Sequence, residues 1–180
     1  PLIMRYETDP NLGTGLTARE VVNQYKESEL ADIFFKYGEE RHSRKIARLI
    51  VAARKKSKIE TTKQLADIVF STYHKRFFHK IHPATKIFQA LRIFVNAELQ
   101  ELESVLPQAV DILEPGGKIA VISFHSLEDR IVKNFLKEKK IEGSLKIITK
   151  KPIRPSAEEM SFNPRSRSAK LRVAEKIYAQ

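Results

Sequence analysis

Apolar residues in the first part of the chain recur every three or four positions, the spacing of amphipathic helices. Two of these helices open on capping boxes, Thr17 with Glu20 and Thr61 with Gln64. The apolar stripes comprise Leu30, Ile33, Phe34 and Tyr37, then Ile46, Leu49, Ile50 and Ala53, then Leu65, Ile68 and Val69. Gly38 follows the first stripe as a C′ glycine would. The pattern predicts four short helices in succession, a small helical subdomain over residues 17–82.

A long helix is predicted after His82, because Phe88, Leu91 and Val95 begin a stripe that continues at helical spacing to Leu106. Proline suits a first helical turn and disrupts a helix interior. Pro107 is therefore expected to start a second helical segment.

The segment PGGKIAVISFHSLEDR, residues 115–130, changes the pattern. Its Pro-Gly-Gly turn leads into an uninterrupted apolar run from Ile119 to Phe124. Such a run is typical of a strand buried on both faces of a parallel sheet. Helical spacing then returns, and Ser126 with Asp129 resembles a helix N-cap.

Two further strands are predicted at residues 145–149 and 171–173, separated by a proline-bearing loop with a one-turn helix after Ser156. The predicted fold class is α/β: residues 1–16 form a loop, and residues 83–180 form the back half of a doubly wound domain. The glycine-rich βα turn that binds a nucleotide is missing, because Gly13-Thr14-Gly15 has no strand before it. A cofactor-binding half is therefore expected upstream of Pro1, or not at all.

Composition narrows the function classes. The chain has 180 residues, 42% of them apolar, and no cysteine, which excludes disulfides and thiolate metal sites and fits a reducing cytoplasm. No apolar stretch reaches the roughly 18 residues that span a bilayer, so no membrane partner is expected. The segment 73–80 mixes cations with aromatic residues that either stack on bases or anchor a loop. His74, His79 and His82 lack carboxylate or cysteine neighbours, so no metal site is predicted.

The formal net charge of +11 is unevenly distributed. Residues 36–92 carry 15 Lys and Arg against 4 Asp and Glu, and residues 133–180 carry 13 against 5. The intervening residues 93–132 carry only 2 Lys and Arg against 7 Asp and Glu. Two basic blocks around an acidic one favour nucleic-acid binding, because contacts with phosphates release counterions. The alternative is that these cations serve solubility alone.

Ser123, His125 and Ser126 lie at the carboxyl end of the predicted strand, where open α/β sheets bind ligands. Ser123 and His125 are the catalytic candidates. The alternative for His125 is a structural role, as a helix cap or a satisfied core residue, and Ser126 either contacts substrate or caps the helix. Arg165 and Arg167 either bind phosphate or lie on a solvated loop.

Five segments resemble, in order, those of the bacterial small-subunit ribosomal RNA (cytosine-N4) methyltransferases. They are PLIMR, YGEERHSRKIARLIV, HPATKIFQALRIFVNAELQELE, LEPGGKIAVISFHSLEDRIVK and NPRSRSAKLRVAEK. The resemblance implies a class I, Rossmann-like fold with an inserted helical subdomain. It also implies methyl transfer from S-adenosylmethionine to a cytidine N4 at the ribosomal decoding centre. The family's cofactor segment has no counterpart here, so no cofactor-binding residue is assigned to this chain. At residues 2–7 the chain departs from the family's usual LDMRMD, and Arg5 is expected near the entry of the site.

In the helical subdomain, four cations fall together on one predicted helix face and are candidates for RNA binding. They are Arg41, Arg44, Lys45 and Arg48. The chain alone is expected to be inactive and to self-associate through an exposed strand edge, which allows a homodimer. The alternative function is a non-catalytic RNA-binding module, or a decayed copy of the enzyme.

Overall fold

The computed structural model describes residues 1–6, 15–73 and 82–177, so most of the basic aromatic segment 73–80, with His74 and His79, lies outside the described residues. The chain forms two compact units, Pro1–Glu98 and Leu99–Gln180. The first unit extends beyond the predicted boundary at residue 82 because the fifth helix packs against the first and second. Within the described ranges, no helix is both long and apolar enough to cross a bilayer.

The first unit is helical. Its helices are α1 (Ala18–Gln24), α2 (Glu27–Gly38), α3 (Ser43–Arg54), α4 (Thr62–Phe70) and α5 (Thr85–Val95). Both predicted capping boxes are confirmed: the Thr17 and Thr61 hydroxyls accept from the backbone N–H of Glu20 and Gln64, each at 3.2 Å. The prediction of four successive short helices is confirmed. Helix α2 contributes Leu30, Ile33 and Phe34 to the core of this unit.

Gly38 does not serve as the predicted C′ residue. It is the last residue of α2, and Glu39 adopts the left-handed conformation, with φ of 47°. A Cβ on Gly38 would lie 2.7 Å from the backbone oxygen of Lys86 in α5. The glycine therefore permits the close approach of α2 and α5.

The predicted long helix is interrupted earlier than expected. Helix α5 ends at Val95, Ala97 has φ of 50°, and α6 begins at Glu98. The Asn96 amide explains the interruption: its Nδ2 donates to the backbone oxygens of Arg92 and Met4, at 2.8 and 2.9 Å. Pro107 lies inside α6, so the predicted break at that proline is wrong.

The second unit combines helices with a small sheet. Its elements are α6 (Glu98–Asp111), β1 (Lys118–Ser123), α7 (Ser126–Ile141), β2 (Leu145–Ile147), α8 (Ala157–Phe162), a 3₁₀ helix (Pro164–Ser168) and β3 (Lys170–Lys176). The strand order is β1-β3-β2, and β3 is antiparallel to both neighbours. The α/β class is confirmed at this coarse level. Strands β1 and β2 run in the same direction, but β3 lies between them, so β1 has no parallel neighbour in the described sheet.

One face of the sheet packs against α6 and α7. This core contains Leu106, Val110, Ile119, Val132, Leu136, Leu145 and Ala174. On β1, Ile119 and Ser123 are buried, whereas Ile122 is 57% exposed. The prediction that this strand is buried on both faces is therefore wrong in this structure, and β1 is an edge strand of the described sheet.

Candidate functional site

The second unit has a pocket of about 210 Å³ at the carboxyl end of β1. We call it the strand-end pocket. Its lining residues come from the β1–α7 connection, the loop before α8, and the segment that leads into β3. They are Phe124, His125, Ser126, Arg154, Arg167, Ser168, Ala169 and Lys170. The sequence-predicted residues His125, Ser126 and Arg167 are therefore brought together here.

His125 is the N-cap of α7. Its Nδ1 accepts from the backbone N–H of Glu128 at 3.3 Å. In return, Glu128 Oε2 accepts from the backbone N–H groups of Phe124 and His125, at 2.7 and 3.1 Å. The predicted cap at Ser126 is wrong, because Ser126 is already the first residue of the helix. Since Nδ1 is an acceptor, the neutral imidazole carries its proton on Nε2.

The two catalytic candidates, Ser123 and His125, are buried side chains. Ser123 is 2% exposed and does not line the pocket. Its Oγ and the Nε2 of His125 are enclosed without an aligned hydrogen-bond partner in the described part of the chain. His125 Nε2 still lies 3.2 Å from Glu128 Oε1, which is a close polar contact. Glu128 thus holds the imidazole by a hydrogen bond at Nδ1 and lies close to its other nitrogen.

Two carboxylates in the first turn of α7 fix this region. Burial by itself would raise the pKa of Glu128, but its interactions with His125 and the Phe124 N–H bring that pKa below the ordinary 4.5. Asp129 accepts from Arg172 Nε at 2.7 Å and from Lys170 Nζ at 3.1 Å. Against the effect of burial, these cations lower the pKa of Asp129 below 3.8. The Asp129 bonds join the start of α7 to the start of β3.

Three cations line the strand-end pocket: Arg154, Arg167 and Lys170. Arg165 is exposed on the same 3₁₀ helix as Arg167, but it does not line the pocket. Sequence reasoning missed Arg154. It lies next to Ile153, which pairs with Leu171 in an isolated bridge, and no local pattern foretells such a long-range pairing.

The four cations predicted to bind RNA in the helical unit are only partly brought together. Arg44 and Arg48 line a groove of about 630 Å³ between α2 and α3. Arg48 Nε lies 3.6 Å from Glu27 Oε1, a contact between exposed side chains. Lys45 instead donates to the backbone oxygen of Thr72 at 3.1 Å, and Arg41 is exposed in the turn before α3.

Arg5, the residue expected near the entry, is half-buried against Gly15. A Cβ at Gly15 would collide with the Arg5 guanidinium, so the two residues are in close contact.

Comparison with known proteins identifies the family. The model of the MraW methylase family matches residues 1–177. The chain belongs to this family. It is 58% identical to the ribosomal RNA small subunit methyltransferase H of Hydrogenobaculum sp. (strain Y04AAS1), over 90% of the chain and 54% of that protein. For the enzyme of the same name from Nostoc punctiforme the identity is 57%, over 92% and 54%. For the enzyme of the same name from Sulfurihydrogenibium sp. (strain YO3AOP1) the identity is 54%, over 98% of the chain and 59% of that protein. The chain thus spans little more than half the length of these curated relatives.

Proposed function

We propose that the protein containing this chain transfers a methyl group from S-adenosylmethionine to the exocyclic N4 of a cytidine in small-subunit ribosomal RNA, at the decoding centre. The family match over residues 1–177 carries this proposal. The second unit would then be the C-terminal part of a class I methyltransferase sheet, with the helical unit as an insertion. The second unit would contribute the residues that bind RNA next to the target cytidine.

The reaction sets clear demands on the site. The lone pair of a cytosine amino group is delocalised into the ring, so nitrogen must be held in line with the methyl group that it attacks. The amine must also lose a proton to an acceptor. The target base must be unpaired or flipped out to be reached.

The strand-end pocket meets the demand for positioning. Phe124 is 53% exposed, which leaves its ring available for stacking on an unpaired base. Arg154, Arg167 and Lys170 supply positive charge for the flanking phosphates. The N–H groups of Phe124 and His125, just before α7, are already bonded to Glu128, so they are not available to a phosphate.

His125 acts in this proposal as a positioning residue. Its Nδ1 is engaged by the Glu128 N–H, so taking up a substrate proton there would break the helix cap. The capped imidazole instead fixes the connection that carries Phe124 and Ser126. Ser123 is the last residue of β1, directly before Phe124, and its buried side chain supports the same connection from beneath.

The connection after β1 does not fit the cofactor. Beyond β1 the chain continues as Phe124-His125-Ser126, without the glycines that let a backbone approach a nucleotide closely. We therefore assign no cofactor contact to this chain and no step of the reaction to such a contact.

The test is methyl transfer to small-subunit RNA by the full-length protein, with isotopically labelled S-adenosylmethionine and mass spectrometry of the digested RNA. We expect the label on N4 of one cytidine. A label on another atom or another base would contradict the proposed specificity. RNA binding without any methyl transfer would favour the second candidate, a non-catalytic RNA-binding module, which the three cations of the strand-end pocket also support.

A further inference from the structure

A second cation-rich surface of this unit is not used by the proposed site. Helix α7 and the end of β2 enclose a groove of about 310 Å³. We call it the lysine groove. Its cations are Lys133, Lys137, Lys140, Lys150 and Arg172, and none of its lining residues is acidic.

The three helix lysines share one face of α7, because residues at positions i, i+4 and i+7 lie above one another. At 1.5 Å per residue, they extend over about 10 Å along the helix. Like charges at this spacing repel one another, and no acidic residue lines the groove to neutralise them. By contrast, Lys139 on the same helix is paired with Glu142 at 2.7 Å.

Arg172 is the most buried cation of the lysine groove. It is 8% exposed and uses Nε to donate to Asp129. No described residue accepts a hydrogen bond from its two terminal nitrogens. The N–H groups on these two nitrogens can donate hydrogen bonds to an anionic ligand such as phosphate.

The lysine groove and the strand-end pocket are connected through one carboxylate. Asp129 accepts from both Arg172, which lines the groove, and Lys170, which lines the pocket. These two residues stand two positions apart on β3, so they share a face at a spacing of about 7 Å. An extended polyanion can therefore contact both surfaces at once.

We propose that the lysine groove binds the phosphodiester backbone of RNA, next to the nucleotides held in the strand-end pocket. The identity of the partner rests on the proposed function. Three lysines spread over about 10 Å of α7, with Lys150 and Arg172 lining the same groove, suit a chain of phosphates better than a single phosphate. The apolar lining residues Leu136 and Ile147 are buried or half-buried, so the groove offers little apolar surface for insertion into a membrane.

The test is titration of small-subunit RNA with the full-length protein at several salt concentrations. The test variant replaces Lys133, Lys137 and Lys140 by Gln. The control replaces Lys118, Lys139 and Lys146 by Gln, which removes the same charge from the same unit outside the groove. Each lost phosphate contact lowers the slope of log K against log salt by about 0.7. We therefore expect a slope smaller by about 2 and roughly 100-fold weaker binding at 0.1 M salt, with the control near wild type.

Equal losses in the test and control variants would overturn the proposal, since charge alone would then explain binding. A second measurement on the unmodified protein avoids any folding defect: mass spectrometry of lysine acetylation with and without RNA. We expect RNA to protect Lys133, Lys137 and Lys140 but not Lys118. Unchanged acetylation of the groove lysines would overturn the proposal, as would their protection by anionic phosphatidylserine vesicles but not by RNA. Neither measurement depends on methyl transfer. Protection of the groove lysines by RNA without methyl transfer would therefore support RNA binding by the groove and contradict the proposed function.

Discussion

Replacing His125 by Ala removes the acceptor that caps α7 and leaves the Glu128 N–H without its partner. Loss of an N-cap acceptor costs about 1 kcal/mol. The ring is also well packed, with a side chain that is 9% exposed, so its removal leaves a void that adds a similar amount. We expect the free energy of unfolding to fall by about 2 kcal/mol, or the melting temperature by roughly 4–8 °C for a chain of this length.

Replacing His125 by Asn separates capping from ring chemistry. Asparagine is among the best N-caps, so this variant keeps the acceptor without the imidazole. We expect the Ala variant to lose turnover along with stability, because the cap positions the connection between β1 and α7, and the Asn variant to recover most of both. The assays are urea unfolding followed by circular dichroism, RNA titration, and single-turnover methyl transfer at saturating RNA.

Two results would refute this reasoning. An Ala variant as stable as wild type would show that the cap contributes nothing. An Asn variant that is stable, binds RNA normally and transfers methyl as slowly as the Ala variant would show that the imidazole takes part in the chemistry.

Three further predictions concern other parts of the chain. Because the folded-state pKa of Glu128 is lowered, its stabilising effect is fully present above pH 4.5 and is lost as pH falls through the lowered value; Glu128→Gln should flatten the acid limb of stability against pH in urea unfolding. Arg44→Ala with Arg48→Ala should weaken RNA binding at unchanged melting temperature, whereas Lys45→Ala should lower the melting temperature; the reverse would make the arginines structural. Ile122→Thr should reduce self-association of the chain in light scattering, since Ile122 is exposed on an edge strand; unchanged scattering would place the contact elsewhere.

Local signals in the sequence were sufficient for the first four helices. The capping boxes at Thr17 and Thr61 act within one turn, so the chain around them decides the structure. The end of α5 was not predictable in this way, because the Asn96 amide bonds to Met4, which is remote in sequence. Gly38 is also explained only by a remote neighbour, the backbone of Lys86.

The order of the strands could not be predicted from local sequence either. The apolar run of β1 predicted a strand correctly, but strand order depends on pairings between distant segments, and β3 pairs with β1 across about 50 residues of chain. The residues of the strand-end pocket were predictable to the same extent. His125 and Arg167 were foreseen from their segments, whereas Arg154 reaches the strand-end pocket through a loop whose position the local sequence does not encode.

The most direct test of the central claim compares two neighbouring arginines in the full-length protein. Arg167 lines the strand-end pocket, whereas Arg165 is exposed on the same 3₁₀ helix outside it. Each is changed to Ala, and the rate of methyl transfer to small-subunit RNA is measured against RNA concentration. If the pocket binds the RNA beside the target cytidine, Arg167→Ala lowers the efficiency of transfer at limiting RNA by about 10-fold or more, as loss of a charged hydrogen bond would, and Arg165→Ala stays near wild type. Equal rates for both variants and wild type would contradict the account.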